Sequence, residues 1–189
     1  MERLKPIYEK FYKQFPFTGN IVILDTETTG FTKDARVIEI GAIAICYDGF
    51  DITFDTFETL INPGFNLDAK IVEITGITDS ELENAPSDEK YSHFITWLNQ
   101  IKPNRIIAHN ASFDKRMLEY NLHRTDNQYT FPEWVCTVQL SKRHLKNVKN
   151  DKLATLAEYF QFVNQQQHRA LSDAETAAYV FCKIMLGEY

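Results

Sequence analysis

Cysteine is scarce: Cys46, Cys136 and Cys182 are three in 189 residues, an odd number without C-x-x-C spacing. Neither a disulfide framework nor a cysteine zinc site is indicated, and the three read as core thiols. No apolar run approaches the roughly 18 residues of a membrane span. Met1 to Asn20 also lacks the continuous apolar stretch of a signal peptide, so the expectation is a cytoplasmic protein without a membrane partner. Positive charge is short as well, 20 basic residues against 26 acidic for a net charge of −6. No basic field is available to attract bulk nucleic acid, and any polyanion must be gripped locally. Internal repeats, low-complexity tracts and domain-splitting linkers are missing too. What is there is 44% hydrophobic residues, enough for one compact domain and too many for a disordered chain.

Residues 1–19 contain Leu4, Ile7, Tyr8, Phe11, Tyr12 and Phe15 at spacings of three and four, which predicts an amphipathic helix packed on the domain formed by residues 20–189. Docking of a partner on that face is the alternative. Ile21 to Asp25 and Arg36 to Tyr47 have strand character, and Phe50 to Ile61 alternates with a phase shift at Phe57 that suggests a bulge. Short turns between these three strands predict antiparallel pairing. Helices are expected over 68–74, 88–101, 112–122, part of 132–145, 153–160 and 171–186, with a brief buried strand over 105–108. Strands followed by alternating helix and strand give an α/β fold, a mixed sheet flanked by helices. The basic stretch from Lys142 to Asp151 reads as a solvated helix end or loop, with phosphate contact as the alternative.

Asp25 and Glu27, two apart at the end of the first strand, project from one face with adjacent carboxylates. Such a pair is costly without a cation, although a solvated strand edge or a helix cap would also present it. Asp114, in His109-Asn110-Ala111-Ser112-Phe113-Asp114, falls in the opening turn of a helix, where the dipole favours a carboxylate in any case. Asn110 suits a turn or a polar contact, and Phe113 suits packing. In the third segment His168 and Asp173 stand five apart, about 140° around a continuous helix. To converge, His168 must lie on the loop before the helix. His93, His123 and His144 have no such acidic company and read as surface residues. Together the four acids form an oxygen-only donor set suited to Mg²⁺ or Mn²⁺ rather than zinc.

On these residues the chain resembles the DnaQ-like, DEDD-type 3′-to-5′ exonucleases, in the subgroup with a histidine five positions before the last aspartate. That family includes the proofreading subunit or domain of bacterial DNA polymerase III. The resemblance runs from about Asn20 to Leu186 and rests on Asp25-Thr26-Glu27, Asn110 to Asp114, and His168 with Asp173. It implies a ribonuclease H-like fold with a five-stranded sheet and a two-metal-ion mechanism using Mg²⁺ or Mn²⁺. By that resemblance Asp25, Glu27 and Asp173 are inner ligands, Asp114 helps hold the second ion, and His168 takes the proton of the attacking water. The backbone at Thr28 and Thr29 would meet the terminal 3′-hydroxyl, Phe31 would press on the terminal base, and Asn110 and Phe113 complete the substrate contacts. A single-stranded 3′ end is the implied substrate, DNA ahead of RNA, and a DNA polymerase the implied partner. An RNA-processing nuclease and a catalytically idle tethering module are the competing readings. Two positions depart from many relatives: Thr75 stands where they have histidine, and Cys136 where they have aspartate.

Overall fold

The computed structural model describes residues 2–16 and 18–189. After one turn of 3₁₀ helix at Glu2–Leu4, the order is α1 (Lys5–Gln14), β1 (Ile21–Thr28), β2 (Val37–Tyr47), β3 (Ile52–Leu60), α2 (Ala69–Thr75), α3 (Asp79–Glu83), α4 (Glu89–Ile101), β4 (Arg105–Ala108), α5 (Ala111–Arg124), β5 (Glu133–Cys136), α6 (Thr137–His144), α7 (Leu153–Tyr159) and α8 (Ala170–Met185). The strands form one mixed sheet in the order β3-β2-β1-β4-β5. β1–β2 and β2–β3 pair antiparallel, and β1–β4 and β4–β5 pair parallel.

β1 is apolar on both faces because helices cover both, which removes the alternation of a half-exposed strand. Val22 and Leu24 face Phe94 and Leu98 of α4 and Met117 and Leu118 of α5. Ile21 and Ile23 face Tyr8 and Phe11 of α1 and Ala174, Ala178 and Phe181 of α8. The apolar face of α1 is thus covered by the protein itself, and the Tyr8 hydroxyl donates to the Ala178 carbonyl at 3.1 Å. Each such fully buried side chain contributes about 1.5–3 kcal/mol.

The small residues at the start of α8 let the helix lie close on β2. A Cβ added to Gly41 would stand 2.0 Å from the Leu171 nitrogen, so only glycine permits the contact. Since Gly41 pairs with Asp25 in the ladder, this approach brings the first turn of α8 over the end of β1.

Three local expectations need correction. The β2–β3 register runs unbroken from Glu39↔Leu60 to Tyr47↔Ile52, and the irregularity lies in the β1–β2 pairing, where Ile38 is passed over between Glu27↔Glu39 and Thr28↔Val37. Phe57 shifts phase because it packs on Phe94 and Trp97, not because the strand bulges. Only Cys182 is a buried core thiol; Cys46 and Cys136 are half-buried. His144 is half-buried as well, whereas His93 and His123 are exposed. Among the described residues no helix is long and apolar enough to cross a membrane.

Candidate active site

β4 pairs with β1 only as far as Ile23↔Ile107, whereas β2 follows β1 to Thr28. The end of β1 therefore has a free edge on the β4 side. Beyond it the chain diverges, β1 leading to β2 and β4 to α5 on the opposite side, and open α/β sheets place their ligand crevice at such a switch point. The sequence-predicted acids gather around this crevice from three elements.

Asp25 and Glu27 come from β1 itself and are half-buried on the α8 face. Asp114 arrives from the other face on the first turn of α5, only 2% exposed. Its Oδ1 accepts the Thr26 N–H at 3.2 Å and the Thr26 hydroxyl at 2.9 Å. Asp173 lies in the first turn of α8, and its Oδ2 accepts the His168 N–H at 3.2 Å. His168 sits on the preceding loop, as the five-residue spacing requires, with a left-handed φ of 60°. Ligand atoms of Glu27, His168 and Asp173 all lie within 4.8 Å of one another, a spacing suited to a shared metal ion.

The electrostatics match a cation-seeking site. Burial, then the charges of Asp114, Glu27 and Asp173, push the Asp25 carboxyl well above the usual carboxylate range. Burial and Asp173 raise Glu27 to about 8, partly opposed by the Arg169 guanidinium. Burial takes Asp114 to about 7 despite its hydrogen bonds from Thr26, and raises Asp173 despite the amide of Asn164. Four carboxyls that resist ionisation together become stable as anions when divalent charge is supplied. With oxygen donors throughout and one imidazole at the rim, the donor set fits Mg²⁺ or Mn²⁺.

Of the remaining expected contacts, Thr28 and Thr29 follow Glu27 directly in the chain. Phe31 is 77% exposed, and its ring centroid lies 5.8 Å from that of Phe113. Exposed Asn110 and Lys142, with Lys152, line a groove of about 640 Å³ that has His168 and Asp173 in its wall. The Thr29 N–H and hydroxyl are both committed to Arg36, and the Thr28 hydroxyl donates to the Gly30 carbonyl. The atypical Thr75 closes the end of α2, its hydroxyl donating to Ile71 and accepting from Ile77. Cys136 caps no donor and lies against the His109 carbonyl.

Sequence reasoning missed Glu39, Arg169 and His109. Glu39 is wholly buried opposite Glu27 and binds Arg169 through the Arg169 Nε at 2.9 Å and Nη2 at 2.7 Å. A charged residue inside the apolar run Val37–Ile45 was the available signal. His109 lines the inner part of the groove, with Nδ1 2.8 Å from the Thr137 hydroxyl, and burial lowers it to about 4.

A mixed sheet in this order, with carboxylates and a histidine at the carboxyl ends of its parallel strands, has the architecture of ribonuclease H-like nucleases. The nuclease domain of 3′hExo, a DEDDh family member solved with bound rAMP, superposes with a TM-score of 0.76 over 90% of this chain and 93% of that one, at 17% identity. Exonuclease X, solved in complex with 5′ overhanging duplex DNA, gives a TM-score of 0.67 at 26% identity over 88% of this chain and 91% of its own.

The family described as Exonuclease (RNase T) matches residues 22–181. The chain belongs to this family, the DEDD exonucleases. Among its relatives are the PolC-type DNA polymerase III of Caldanaerobacter subterraneus subsp. tengcongensis, 34% identical over 169 residues, and the 3′-5′ exonuclease DinG of Bacillus subtilis, 33% identical over 166. The match spans 88% and 87% of this chain but only 12% and 17% of those relatives. The DNA polymerase III subunit epsilon of Aquifex aeolicus is 30% identical over 169 residues, 88% of this chain and 81% of its own length.

Proposed function

We propose that residues 20–189 form an exonuclease domain, with the N-terminal helical segment packed on it, that removes nucleotides one at a time from the 3′ end of single-stranded nucleic acid. Nucleoside 5′-monophosphates are the product. The observation that carries this reading is the clustering of Glu27, His168 and Asp173 within 4.8 Å beside Asp25 and Asp114. Asp25, Glu27 and Asp173 would hold two Mg²⁺ or Mn²⁺ ions, with Asp114 assisting at the second. Bound in such a pair, these ions supply the positive charge that an in-line displacement at phosphorus requires and make water more acidic.

The protein's own groups do the rest. His168, at the open rim, accepts the proton of the attacking water, a role for which imidazole is suited near neutral pH. Asp173 fixes the His168 backbone through its N–H. Phe31 and Phe113 offer stacking surface to the terminal base, which tolerates any sequence. The backbone at Thr28 and Thr29, directly after Glu27, would meet the terminal 3′-hydroxyl. Asn110, Lys142 and Lys152 in the groove grip the strand locally, as the acidic net charge demands. Similarity to polymerase III chains supports DNA as the substrate and a DNA polymerase as the partner.

The test is digestion of matched 5′-labelled DNA and RNA single strands with Mg²⁺ or Mn²⁺. Stepwise shortening from the 3′ end is expected, faster on DNA; no shortening with either metal defeats the reading, and faster RNA digestion moves it to RNA processing. Asp25→Ala should slow turnover more than about a thousandfold, roughly 4 kcal/mol of transition-state stabilisation. Its circular dichroism should match the parent protein. Activity surviving in the folded variant would remove Asp25 from the mechanism.

A further inference from the structure

We propose that Glu39 is a positioning residue for His168, acting by clamping Arg169 and Ala170 where the loop enters α8. The inference rests on the nuclease reading above and extends it to a residue outside the four acids and the histidine.

Every other residue of β2 from Val37 to Ile45 is apolar or glycine, and Glu39 alone introduces a carboxylate, at 0% exposure. Burying that group is costly unless each oxygen is satisfied. The described partners are two consecutive residues. Oε1 accepts from the Arg169 Nε and Nη2, and Oε2 accepts the Ala170 N–H at 2.8 Å. No side chain of its own caps α8: Arg169 is the cap residue, and Glu39 supplies from another strand the acceptor that an N-cap serine or aspartate normally provides. Arg169 also approaches Glu81 of α3 at 3.9 Å, a second tie on the same guanidinium.

The residue immediately before the clamp is His168. Its φ of 60° is a left-handed conformation that costs a non-glycine residue energy and persists only when the surroundings enforce it. Enforcement comes from both sides: Asp173 accepts the His168 N–H, and Glu39 holds the next two residues. Asp173 does not depend on the clamp in the same way. It belongs to a helix docked independently through Gly41 and through Ala174, Ala178 and Phe181. Loss of Glu39 should therefore release the imidazole while leaving the helix, and with it the carboxylate, in place.

The experiment is a double-mutant cycle with Glu39→Leu and His168→Ala, read as single-turnover cleavage of a labelled single strand with Mn²⁺. Glu39→Gln serves as the milder second variant if the leucine variant does not fold. In the parent background Glu39→Leu should lower the cleavage rate about 10- to 100-fold, the range seen when a group that orients a functional side chain is removed, with KM unchanged. In the His168→Ala background the same substitution should cost less than about threefold, because a group acting through His168 has nothing left to act on. Equal losses in both backgrounds, or none in either, overturn the proposal. A readout independent of activity is the Cε1–H resonance of His168, which should move in both Glu39 variants while that of exposed His93 stays. An unmoved His168 resonance overturns the proposal even if the protein digests nothing; an inactive parent protein with a shifted resonance sinks the nuclease reading alone.

Discussion

The Oδ1 atom of Asp114 accepts two hydrogen bonds from a single residue, the N–H and the hydroxyl of Thr26. This is possible because β4 leaves β1 after Ile23, so the Thr26 N–H has no ladder partner on that side. One carboxylate oxygen thereby satisfies an edge donor and fixes α5 against the strand that carries Asp25 and Glu27. Thr26→Val keeps the branched shape and removes one of the two donors to a buried carboxyl, at a cost of about 1–3 kcal/mol. Denaturant melts should show that loss, and exonuclease assays should show a fall of about tenfold or more as Asp114 shifts. Thr26→Ser should recover most of both. A valine variant equal to the parent in both measurements would mean that the hydroxyl does not orient Asp114.

Proton uptake gives a second prediction. A glutamate ordinarily titrates at 4.5, but in the folded protein Glu27 holds its proton up to about 8. Asp114 moves from 3.8 to about 7. At these two carboxyls the folded state binds more protons than the unfolded chain between these limits; the lowered His109 opposes them only below its ordinary value of 6.5, so stability falls as pH rises toward about 8. In EDTA the Tm should accordingly be lower at pH 8 than at pH 5, at about 2–4 °C per kcal/mol for a chain of this size. Mg²⁺ or Mn²⁺ should restore Tm, and more at pH 8 than at pH 5, because the ion competes with protons. Glu27→Gln should flatten the pH dependence. A metal-free protein that stabilises between pH 5 and 8 would contradict the raised carboxyls.

These two predictions draw on residues of different legibility. Asp25 and Glu27 were readable because a strand's period of two fixes their shared face without any tertiary knowledge. His168 was readable because 140° of helical rotation forbids convergence with Asp173 unless the histidine lies outside the helix. Glu39 was not readable, since its partners Arg169 and Ala170 stand about 130 residues away. Its role depends on α8 crossing β2 at Gly41, a contact that no local pattern encodes. β5 escaped for a local reason: four residues, Glu133–Cys136, run directly into α6 without a turn residue between them. The bulge was misplaced because packing of Phe57 on Trp97 imitates a break in alternation.

Phe31 provides the last prediction. It is among the most exposed large apolar side chains, at 77%, on a loop that the protein nevertheless holds firmly. Buried Asn121 donates to the Ala35 carbonyl at 3.2 Å, and Arg124 donates to the Lys33 carbonyl at 2.8 Å. Both anchors belong to α5, the helix that also carries Phe113, so the two rings are referenced to one rigid element. An exposed ring on an anchored loop gains little in the free protein and is available to a base. Stacking on an aromatic side chain is worth about 1–3 kcal/mol per base. Phe31→Ala should therefore leave Tm within about a degree of the parent while raising KM for a single strand about 10- to 100-fold, regardless of the terminal base. Arg124→Ala should raise KM in the same direction by loosening the loop, but with a measurable loss of Tm. Steady-state kinetics on four oligonucleotides differing in the 3′ base, alongside thermal melts, separate the two effects. A fall in Tm without a change in KM for Phe31→Ala would assign the ring to packing and not to substrate.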